Sequence, residues 1–320
     1  MKVSYGNGIA VALKKSLILL DPKVSDFISF VSHAHGDHIP YSVVKEPFLS
    51  AETLELIKVT DPFFKGVPLK KKVVFDDFVV KLLNAGHILG SKQIYIEADG
   101  KTLVYSGDIK LSPSWTAEPI EIEEADVLIT ETTYGYPGYR LPDQKLVKEV
   151  FVKWVKNNLK KGNRVEIGAY QVGKAQEAIK ILNEEGIIPK VTETIRRFSD
   201  VYRKFGIKLE YFSGEDKADV LIKPMRTVIR SKKSNVKVCV LTGWSEFKDL
   251  SVPGFPISDH CDFYQLIEYV RLVNPKVVIC THGYSREFCK EVSRVLGKKA
   301  YILEEGGNQA NLNIYSSRII

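Results

Sequence analysis

The apolar positions along the chain change their spacing near residue 143. Before it, short apolar runs alternate with turn sequences such as Gly6-Asn7-Gly8, Asp99-Gly100 and Ser106-Gly107, which is typical of short strands joined by tight turns. After it, one face of a helix that would end at Gly162 is formed by Leu146, Val150, Trp154 and Leu159. The pattern predicts a strand-rich first part followed by a segment in which helices and strands alternate.

The alternation continues towards the end of the chain. A strand over residues 165–170 is expected to lead through Gly173 into a second helix, whose apolar face carries Ala175, Ile179 and Leu182. A turn of this kind leaves backbone amides at the helix start available to an anion. The spacing then predicts four more elements: helices over 262–273 and 286–296, a buried strand over 277–280 and a short strand over 300–303. Together these elements predict an α/β protein.

All six histidines fall in short segments that favour metal binding, and the densest of these segments runs from residue 31 to residue 38. In a tight turn alternate side chains diverge, so His33 and His35 can face one ion while Asp37 and His38 face a second. The glycine at position 36 allows the backbone to bend there. Neutral imidazoles with a carboxylate suit a borderline cation such as zinc.

Two further ligand-type residues follow predicted strands. His87 comes after the apolar run 79–83, and Asp108 comes after the run 101–105. Either residue alone would more often belong to a plain turn. Because loops that follow neighbouring strands converge, and because one carboxylate can bridge two cations, the histidine cluster and these residues together predict a two-metal site.

The order of these segments resembles a known family over essentially the whole chain. The segment 33–38, His87, the Ser-Gly-Asp that ends at Asp108 and the strand that ends at Asp21 resemble the first four motifs of the metallo-β-lactamase fold. The segments 129–135, 258–260 and 280–283 resemble motifs A, B and C of the β-CASP nucleases. The resemblance implies an α/β fold: an αββα metallo-β-lactamase sandwich with an inserted small α/β β-CASP cap domain.

Within that group, three segments resemble the short exonucleases encoded beside ATP-dependent DNA ligases and also the nuclease subunit of messenger-RNA 3′-end cleavage factors: residues 168–176, 242–244 and 258–263. The implied domains are a first part of the sandwich over 1–142, a cap over 143–241 and a second part of the sandwich over 242–320. The cap is short, which implies an open groove with limited reading of sequence.

The resemblance also implies roles for individual residues. The first of two zinc ions, for which manganese is an alternative, would be held by His33, His35, His87 and Asp108. The second would be held by Asp37, His38, Asp108 and His282. Catalysis is assigned to Asp37 and to His260, a phosphate contact and proton donor that Glu131 orients. Asp21 is placed behind the metal ligands, where it would orient an imidazole through its other ring nitrogen.

Charge supports a polyanionic substrate. The net charge is +7. Residues 145–237 carry 22 Lys and Arg against 11 Asp and Glu, whereas the rest of the chain carries 24 against 28. A basic cap over a metal cleft suits phosphate backbones. The phosphate-binding candidates are Gly173, Lys174, Arg226 and Arg230, together with the pair Arg196-Arg197.

The sequence therefore predicts a zinc-dependent nuclease that hydrolyses phosphodiester bonds of single-stranded nucleic acid, as an exonuclease in repair or RNA processing. DNA and RNA stay open, because the histidine of motif C favours RNA-acting relatives while residues 242–244 and 258–263 favour the DNA-repair exonucleases. A DNA ligase or a helicase is a candidate partner, and the oligomeric state is left open. Two alternatives are a small-molecule or tRNA-processing hydrolase of the same superfamily and a catalytically silent subunit that binds RNA.

Composition agrees with these expectations. The chain is 44% apolar and has no run of eighteen apolar residues, so a globular protein without a membrane span is expected. No cleavable signal is visible, which predicts a cytoplasmic location. The four cysteines form no CxxC pair and predict reduced core thiols.

Overall fold

Strands outnumber helices in the computed structural model, which describes residues 1–215, 217–228 and 235–303. The strands, in chain order, are β1 (Lys2–Gly6), β2 (Gly8–Ala12), β3 (Leu17–Leu20), β4 (Val24–Ser25), β5 (Ile28–Phe30), β6 (Ser42–Val43), β7 (Phe48–Leu49), β8 (Val67–Pro68), β9 (Lys72–Val74), β10 (Phe78–Asn84), β11 (Lys92–Ala98), β12 (Lys101–Tyr105), β13 (Val127–Thr132), β14 (Arg164–Ala169), β15 (Lys190–Val191), β16 (Val220–Pro224), β17 (Val236–Leu241), β18 (Gly254–Phe255), β19 (Val277–Gly283) and β20 (Lys299–Ile302). The helices are α1 (Ala51–Lys58), α2 (Gln144–Lys160), α3 (Lys174–Asn183), α4 (Glu193–Lys204), α5 (Met225–Val228), α6 (Phe263–Val273) and α7 (Ser285–Leu296).

Two large mixed sheets form the first part of the fold. One has the order β1-β2-β3-β5-β7-β8, and the other has the order β20-β19-β13-β12-β11-β10-β9. In the first sheet β3, β5, β7 and β8 are parallel, and in the second β12, β13, β19 and β20 are parallel. Since parallel strands end at the same edge of a sheet, the loops that follow them converge.

Alternation along the strands separates two cores. In β12, Leu103 and Tyr105 pack into a cluster with Ile18 and Phe30 of the other sheet, while Val104 packs on the opposite face. That opposite face is covered by α6 and α7 through buried residues such as Leu266, Val270, Phe288 and Val292. The seven-stranded sheet therefore lies between a second sheet and a layer of helices, as expected when successive side chains point to opposite faces.

The middle of the chain forms a separate sheet in the order β15-β16-β14-β17-β18, and all of its strand pairs are parallel. Helices α2, α3 and α4 bury apolar residues in the same core as β14. The predicted α/β fold class is confirmed, and the predicted strands and helices of this segment lie close to the expected residues.

The predicted apolar face of α2 is wrong at its first two positions, whereas Trp154 and Leu159 pack against the core as expected. Leu146 and Val150 are each 59% exposed, whereas the face that packs against the sheet carries Val147, Phe151 and Val155. Apolar residues occur on both sides of this helix, so spacing alone left two choices of face. Packing against β14 selects the side that buries the bulky Phe151 ring.

Two other findings concern the whole described part of the chain. Within residues 1–215, 217–228 and 235–303, no helix combines the length and the apolar character that crossing a bilayer requires. Cys239, Cys261 and Cys280 are buried free thiols and Cys289 is a half-buried one, so the predicted reduced thiols are found.

Candidate functional site

The loops after the parallel strands bring the motif residues to one cavity of about 520 Å³. The loop after β5 supplies His33 to His38, the turn after β10 supplies His87, and the turn after β12 supplies Asp108. Glu131 lies in β13, His282 lies in β19, and His260 precedes α6. Of these residues the cavity is lined by His35, Asp37, His38, Asp108, His260 and His282.

Four of these side chains form a buried cluster with the size of a metal site: His33, His35, His87 and Asp108. The distances between neighbouring ligand atoms are 3.1 Å from His33 Nε2 to His35 Nδ1, 3.0 Å from His87 Nε2 to His35 Nδ1, 3.4 Å from His33 Nε2 to Asp108 Oδ2 and 3.7 Å from His87 Nε2 to Asp108 Oδ2. Ligands bonded to zinc at roughly 2.0–2.1 Å stand about 3.3 Å apart at the corners of a tetrahedron. The cluster fits a tetrahedral divalent cation.

Protonation favours the same conclusion. Burial lowers the pKa of His33 and of His35, and burial together with the charge of His260 lowers the pKa of His87 to about 3. These imidazoles are therefore neutral near pH 7, the form that binds a metal. Burial opposes ionisation of Asp108, but the charge of His38 and then the contact with His33 hold its pKa well below its usual range. One carboxylate and three neutral imidazoles face a common point.

Asp21 lies behind this cluster and contacts His38. Its carboxylate accepts hydrogen bonds from the Ser32 backbone N–H (2.6 Å), the Ser32 hydroxyl (2.6 Å), the Tyr105 hydroxyl (2.7 Å) and His38 Nδ1 (2.7 Å). These bonds satisfy the carboxylate of a residue that is only 9% exposed. The backbone φ of Asp21 is +44°. With Nδ1 held in this way, His38 Nε2 lies 3.7 Å from Asp108 Oδ2 and 3.6 Å from Asp37 Oδ2.

The residues expected to complete a second metal position are more open. The side chain of Asp37 is 78% exposed, and His282 is an exposed residue whose ring centroid lies 5.4 Å from that of His38. Burial alone would lower the pKa of His38, but the charges of Asp108 and Asp21 outweigh burial and raise it to about 10. In this state His38 carries a proton that a metal ion would have to displace.

His260 and Glu131 form a pair at the wall of the cavity. His260 Nδ1 lies 3.1 Å and 3.2 Å from the two carboxylate oxygens of Glu131. Glu131 is 1% exposed and is fixed by the Ile109 backbone N–H (2.8 Å) and the Thr133 hydroxyl (2.5 Å). Burial would lower the pKa of His260, but the charge of Glu131 and its hydrogen bond raise that pKa to about 9. The ring of His260 lies 4.7 Å from that of His87, so a protonated imidazole stands beside the histidine cluster.

Sequence reasoning missed two buried ion pairs that connect this cavity to α3. The Lys174 ammonium bonds to the carboxylate of Asp259, whose backbone carbonyl accepts a hydrogen bond from His87 Nδ1 (2.7 Å). Three residues further along α3, Glu177 pairs with Lys110 (2.9 Å), two residues after Asp108, and these two side chains are 2% and 0% exposed. In the sequence, the signal for these pairs was that Asp259 and Lys110 lie beside the motif residues His260 and Asp108. This position does not show which residues of α3 they pair with.

The predicted phosphate-binding residues have different surroundings. The Gly173 N–H donates to the Gln176 side chain (2.8 Å), and a Cβ at Gly173 would stand 2.6 Å from Ile88. Lys174 is 5% exposed and pairs with Asp259, so both residues are engaged within the protein. Arg226 is exposed, and its charge acts on Tyr170, which lines the cavity. Arg230 lies outside the described residues.

The chain is similar in sequence to several known proteins. No model of a known protein family matches the chain. The chain is 30% identical over 311 residues to a protein of Opitutus terrae named a probable DNA ligase, covering 90% of this chain and 30% of that protein. It is 32% identical over 213 residues to an RNase J-like protein of Methanocaldococcus jannaschii, covering 55% of this chain and 51% of that protein. It is 33% identical over 145 residues to a protein of Acidianus ambivalens described as an uncharacterized protein in the lig 3′ region, covering 44% of this chain and 99% of that protein.

The chain thus spans about a third of the first of these relatives and about half of the second. Among solved structures, a protein of unknown function from Enterococcus faecalis V583 superposes with a TM-score of 0.68 at 16% identity. The superposition covers 96% of this chain and 98% of the other, so the two proteins share a fold.

Proposed function

The chain belongs to the β-CASP family of metallo-β-lactamase nucleases, and from that premise we propose that it is a metal-dependent nuclease acting on single-stranded nucleic acid. The proposal includes the arrangement of the fold: a metallo-β-lactamase sandwich from residues 1–142 and 242–320, with a β-CASP cap over 143–241 to whose sheet β18 adds an edge strand. The observation that carries it is the position of the His260–Glu131 pair beside the cluster of His33, His35, His87 and Asp108.

Two cations are assigned to the site, with zinc as the ion and manganese as the alternative. The first is assigned to His33, His35, His87 and Asp108, whose spacing fits a tetrahedron. The second is assigned to Asp37, His38, Asp108 and His282 on the open side of the cavity. Bound divalent cations supply Lewis-acid activation of water and of the phosphoryl group.

The residues around the cations position and move protons. Glu131 holds Nδ1 of His260, which leaves Nε2 to donate a proton to the leaving oxygen of the scissile phosphodiester. Because the pKa of His260 is raised to about 9, the imidazole is protonated at neutral pH and can act as the acid. Asp21 keeps His38 Nε2 turned towards Asp108, and Asp37 stands exposed at the cavity mouth.

The substrate follows from charge and from the relatives. The surplus of Lys and Arg in residues 145–237 favours a polyanion. Among the described phosphate candidates Arg226 and Arg197 are exposed, whereas Arg196 pairs with Glu193 and Asp200. A relative named a DNA ligase and one named RNase J-like support DNA and RNA respectively. We therefore assign single-stranded DNA or RNA as the substrate and a DNA ligase as the functional partner. As in the exonucleases that the chain resembles, cleavage is assigned to the ends of the strand.

The test uses zinc-loaded protein with 5′-labelled and 3′-labelled single strands of DNA and RNA. Product ladders give the sugar, the polarity and the exonuclease or endonuclease mode. His260→Ala should lower kcat on these strands by about 100- to 10,000-fold, while its metal content stays unchanged.

A second substrate separates the acid from the metal. Bis(p-nitrophenyl) phosphate has a leaving group that needs no protonation, so His260→Ala should retain most of its activity on it. Equal losses on both substrates would contradict the role of His260 as the acid. Absence of any phosphodiesterase activity, together with hydrolysis of a β-lactam or a thioester, would favour a small-molecule hydrolase instead.

A further inference from the structure

A row of aromatic rings leads from the cavity to the protein surface. Trp244 lines the cavity, and its ring lies 5.6 Å from that of Tyr139 and 6.5 Å from that of Tyr284. Tyr136 continues the row, 5.4 Å from Tyr139 and 6.2 Å from Tyr284. We call Tyr136, Tyr139, Trp244 and Tyr284 the aromatic wall. The Tyr139 and Tyr284 hydroxyls are hydrogen-bonded at 2.7 Å, so the loops after β13 and β19 are joined here.

Exposure along the wall is graded. Tyr134, which also lines the cavity and packs 4.6 Å from Trp244, is 2% exposed. Trp244, Tyr139 and Tyr284 are half-buried, and Tyr136 at the outer end is 48% exposed. A large ring that stays half in water leaves apolar surface to be covered by something else.

Cations flank the wall. Lys248 places its ammonium 4.3 Å from the centre of the Trp244 ring. Two exposed arginines follow wall residues in the sequence: Arg140, whose guanidinium lies 5.5 Å from the centre of the Tyr264 ring, and Arg286. Within the described ranges 1–215, 217–228 and 235–303, none of the three has a carboxylate within salt-bridge distance, whereas Lys148, Lys156 and Lys204 each pair with a glutamate. The charges beside the wall are therefore available to an anion.

Aromatic faces beside free cations, continuous with a cavity for a phosphodiester, are the features that bind single strands without reading their sequence. We propose that the aromatic wall stacks successive nucleobases of a single strand whose scissile phosphodiester lies in the cavity. The proposal rests on the nuclease function proposed above and names the site that holds the strand beyond the cleavage position. Duplex ends do not fit this role, because their bases are already stacked on each other.

The test measures binding of fluorescein-labelled oligothymidylates to the full chain with a chelator present, so that cleavage does not interfere. Tyr136→Ala should weaken binding of a dodecanucleotide by about 5- to 100-fold and leave binding of a dinucleotide unchanged. Tyr136→Phe keeps the ring and should bind like the unchanged protein. Phe63→Ala removes a 90% exposed ring outside the wall and should also have no effect.

An abasic strand decides between stacking and a merely structural role. If the wall stacks bases, the unchanged protein should bind a strand with abasic positions beyond the cavity at least as weakly as Tyr136→Ala binds the normal strand, and Tyr136→Ala should bind the abasic strand no more weakly than the unchanged protein does. Equal losses for normal and abasic strands, or unchanged binding of the dodecanucleotide, would overturn the proposal. Hydrolysis of bis(p-nitrophenyl) phosphate by the zinc-loaded Phe63→Ala variant should match that of the unchanged protein, and absence of hydrolysis in the unchanged protein would count against the nuclease function alone.

Discussion

The two halves of the candidate metal centre differ in burial and in protonation. In the deep half, His33, His87 and Asp108 are 0%, 1% and 8% exposed, and their ligand atoms converge with that of His35. In the open half, the side chain of Asp37 is 78% exposed and His282 is an exposed residue. The ligand atoms of the deep half have the spacing of a metal site, whereas two of the residues in the open half face solvent.

Protonation deepens this difference. Burial removes protons from the histidines of the deep half by lowering the pKa of each of them. In the open half, the charges of Asp108 and Asp21 raise the pKa of His38 to about 10, so the same acidic surroundings that attract a cation also hold a proton. The comparison teaches that one ion should bind tightly at neutral pH and the other should compete with a proton.

The largest effect should come from Asp108, the residue that both halves share. Asp108→Asn removes the charge next to His33, His38 and His87 and should abolish binding of the second ion while weakening the first. Phosphodiesterase activity should fall by at least about 1,000-fold, because the electrostatic stabilisation from metal ions is several kcal/mol. Metal content by elemental analysis and kcat on a labelled strand measure both effects.

A second variant controls for loss of a hydrogen-bonded carboxylate outside the cavity. Asp126→Asn changes a carboxylate that pairs with Lys276 away from the cavity, and it should keep full metal content and activity. If Asp108→Asn retained two ions, the two halves would not share a ligand.

Binding of the second ion should release a proton, and this is the intermediate effect. Between pH 7 and pH 9 the affinity of the second ion should rise with pH, because the charges of Asp108 and Asp21 raise the pKa of His38 and the ion must displace the proton from that imidazole. The affinity of the first ion should change little over this range, since its three imidazoles have already lost their protons. Calorimetry in buffers of different ionisation enthalpy counts the protons released.

Asp37→Ala separates the halves in the same experiment. It should reduce the number of bound ions from two to one and leave the pH-independent first ion in place. Asp61→Ala, which removes another exposed carboxylate, should bind two ions as before. Two ions with equal pH dependence would erase the distinction between the halves.

The deep half could be predicted from the sequence because its ligands follow strands. His87 and Asp108 stand directly after apolar runs, and strands ending at one edge bring such residues together without information from elsewhere. In the open half, the alternation of side chains also predicts Asp37 and His38 as ligands of a second ion, and His282 is named by the resemblance. Nothing in the spacing shows that Asp37 points into solvent or that the His282 backbone has a φ of +54°.

Contacts between the middle segment and the sandwich were beyond sequence reasoning. Lys174 is a candidate phosphate ligand by its place after Gly173, and the sequence does not show that it lines the cavity in a pair with Asp259, 85 residues away. Glu177 and Lys110, 67 residues apart, carry no motif at all. A charge that is buried against one opposite charge looks, in the sequence, like any solvated lysine or glutamate, because only the packing of α3 against the loops decides its partner. The sequence likewise does not show that Leu146 and Val150 of α2 face solvent, because only packing decides which side of the helix is buried.

The smallest effect concerns Asp21, which contacts only the open half directly. Asp21→Asn keeps the size of the side chain but removes the charge that holds His38 Nδ1 at 2.7 Å. A carboxylate behind a histidine ligand typically contributes 10- to 100-fold to metal affinity, so the second ion should bind about 10- to 100-fold more weakly. The first ion should be unaffected if the halves are independent at this point.

Ser32 provides the route by which that independence could fail. Its hydroxyl donates to Asp21 at 2.6 Å and lies 2.9 Å from His33 Nδ1, so Asp21 could act on the deep half through it. Ser32→Ala keeps the direct contact between Asp21 and His38 and removes this relay. If Asp21→Asn and Ser32→Ala both weaken binding of the first ion, Ser32 couples the two halves. Burial alone would then not account for the affinity of the deep half for its ion. If Asp21→Asn weakens binding of the second ion while Ser32→Ala leaves it unchanged, the charge on Asp21 acts through His38. The two halves then bind their ions independently and share only Asp108.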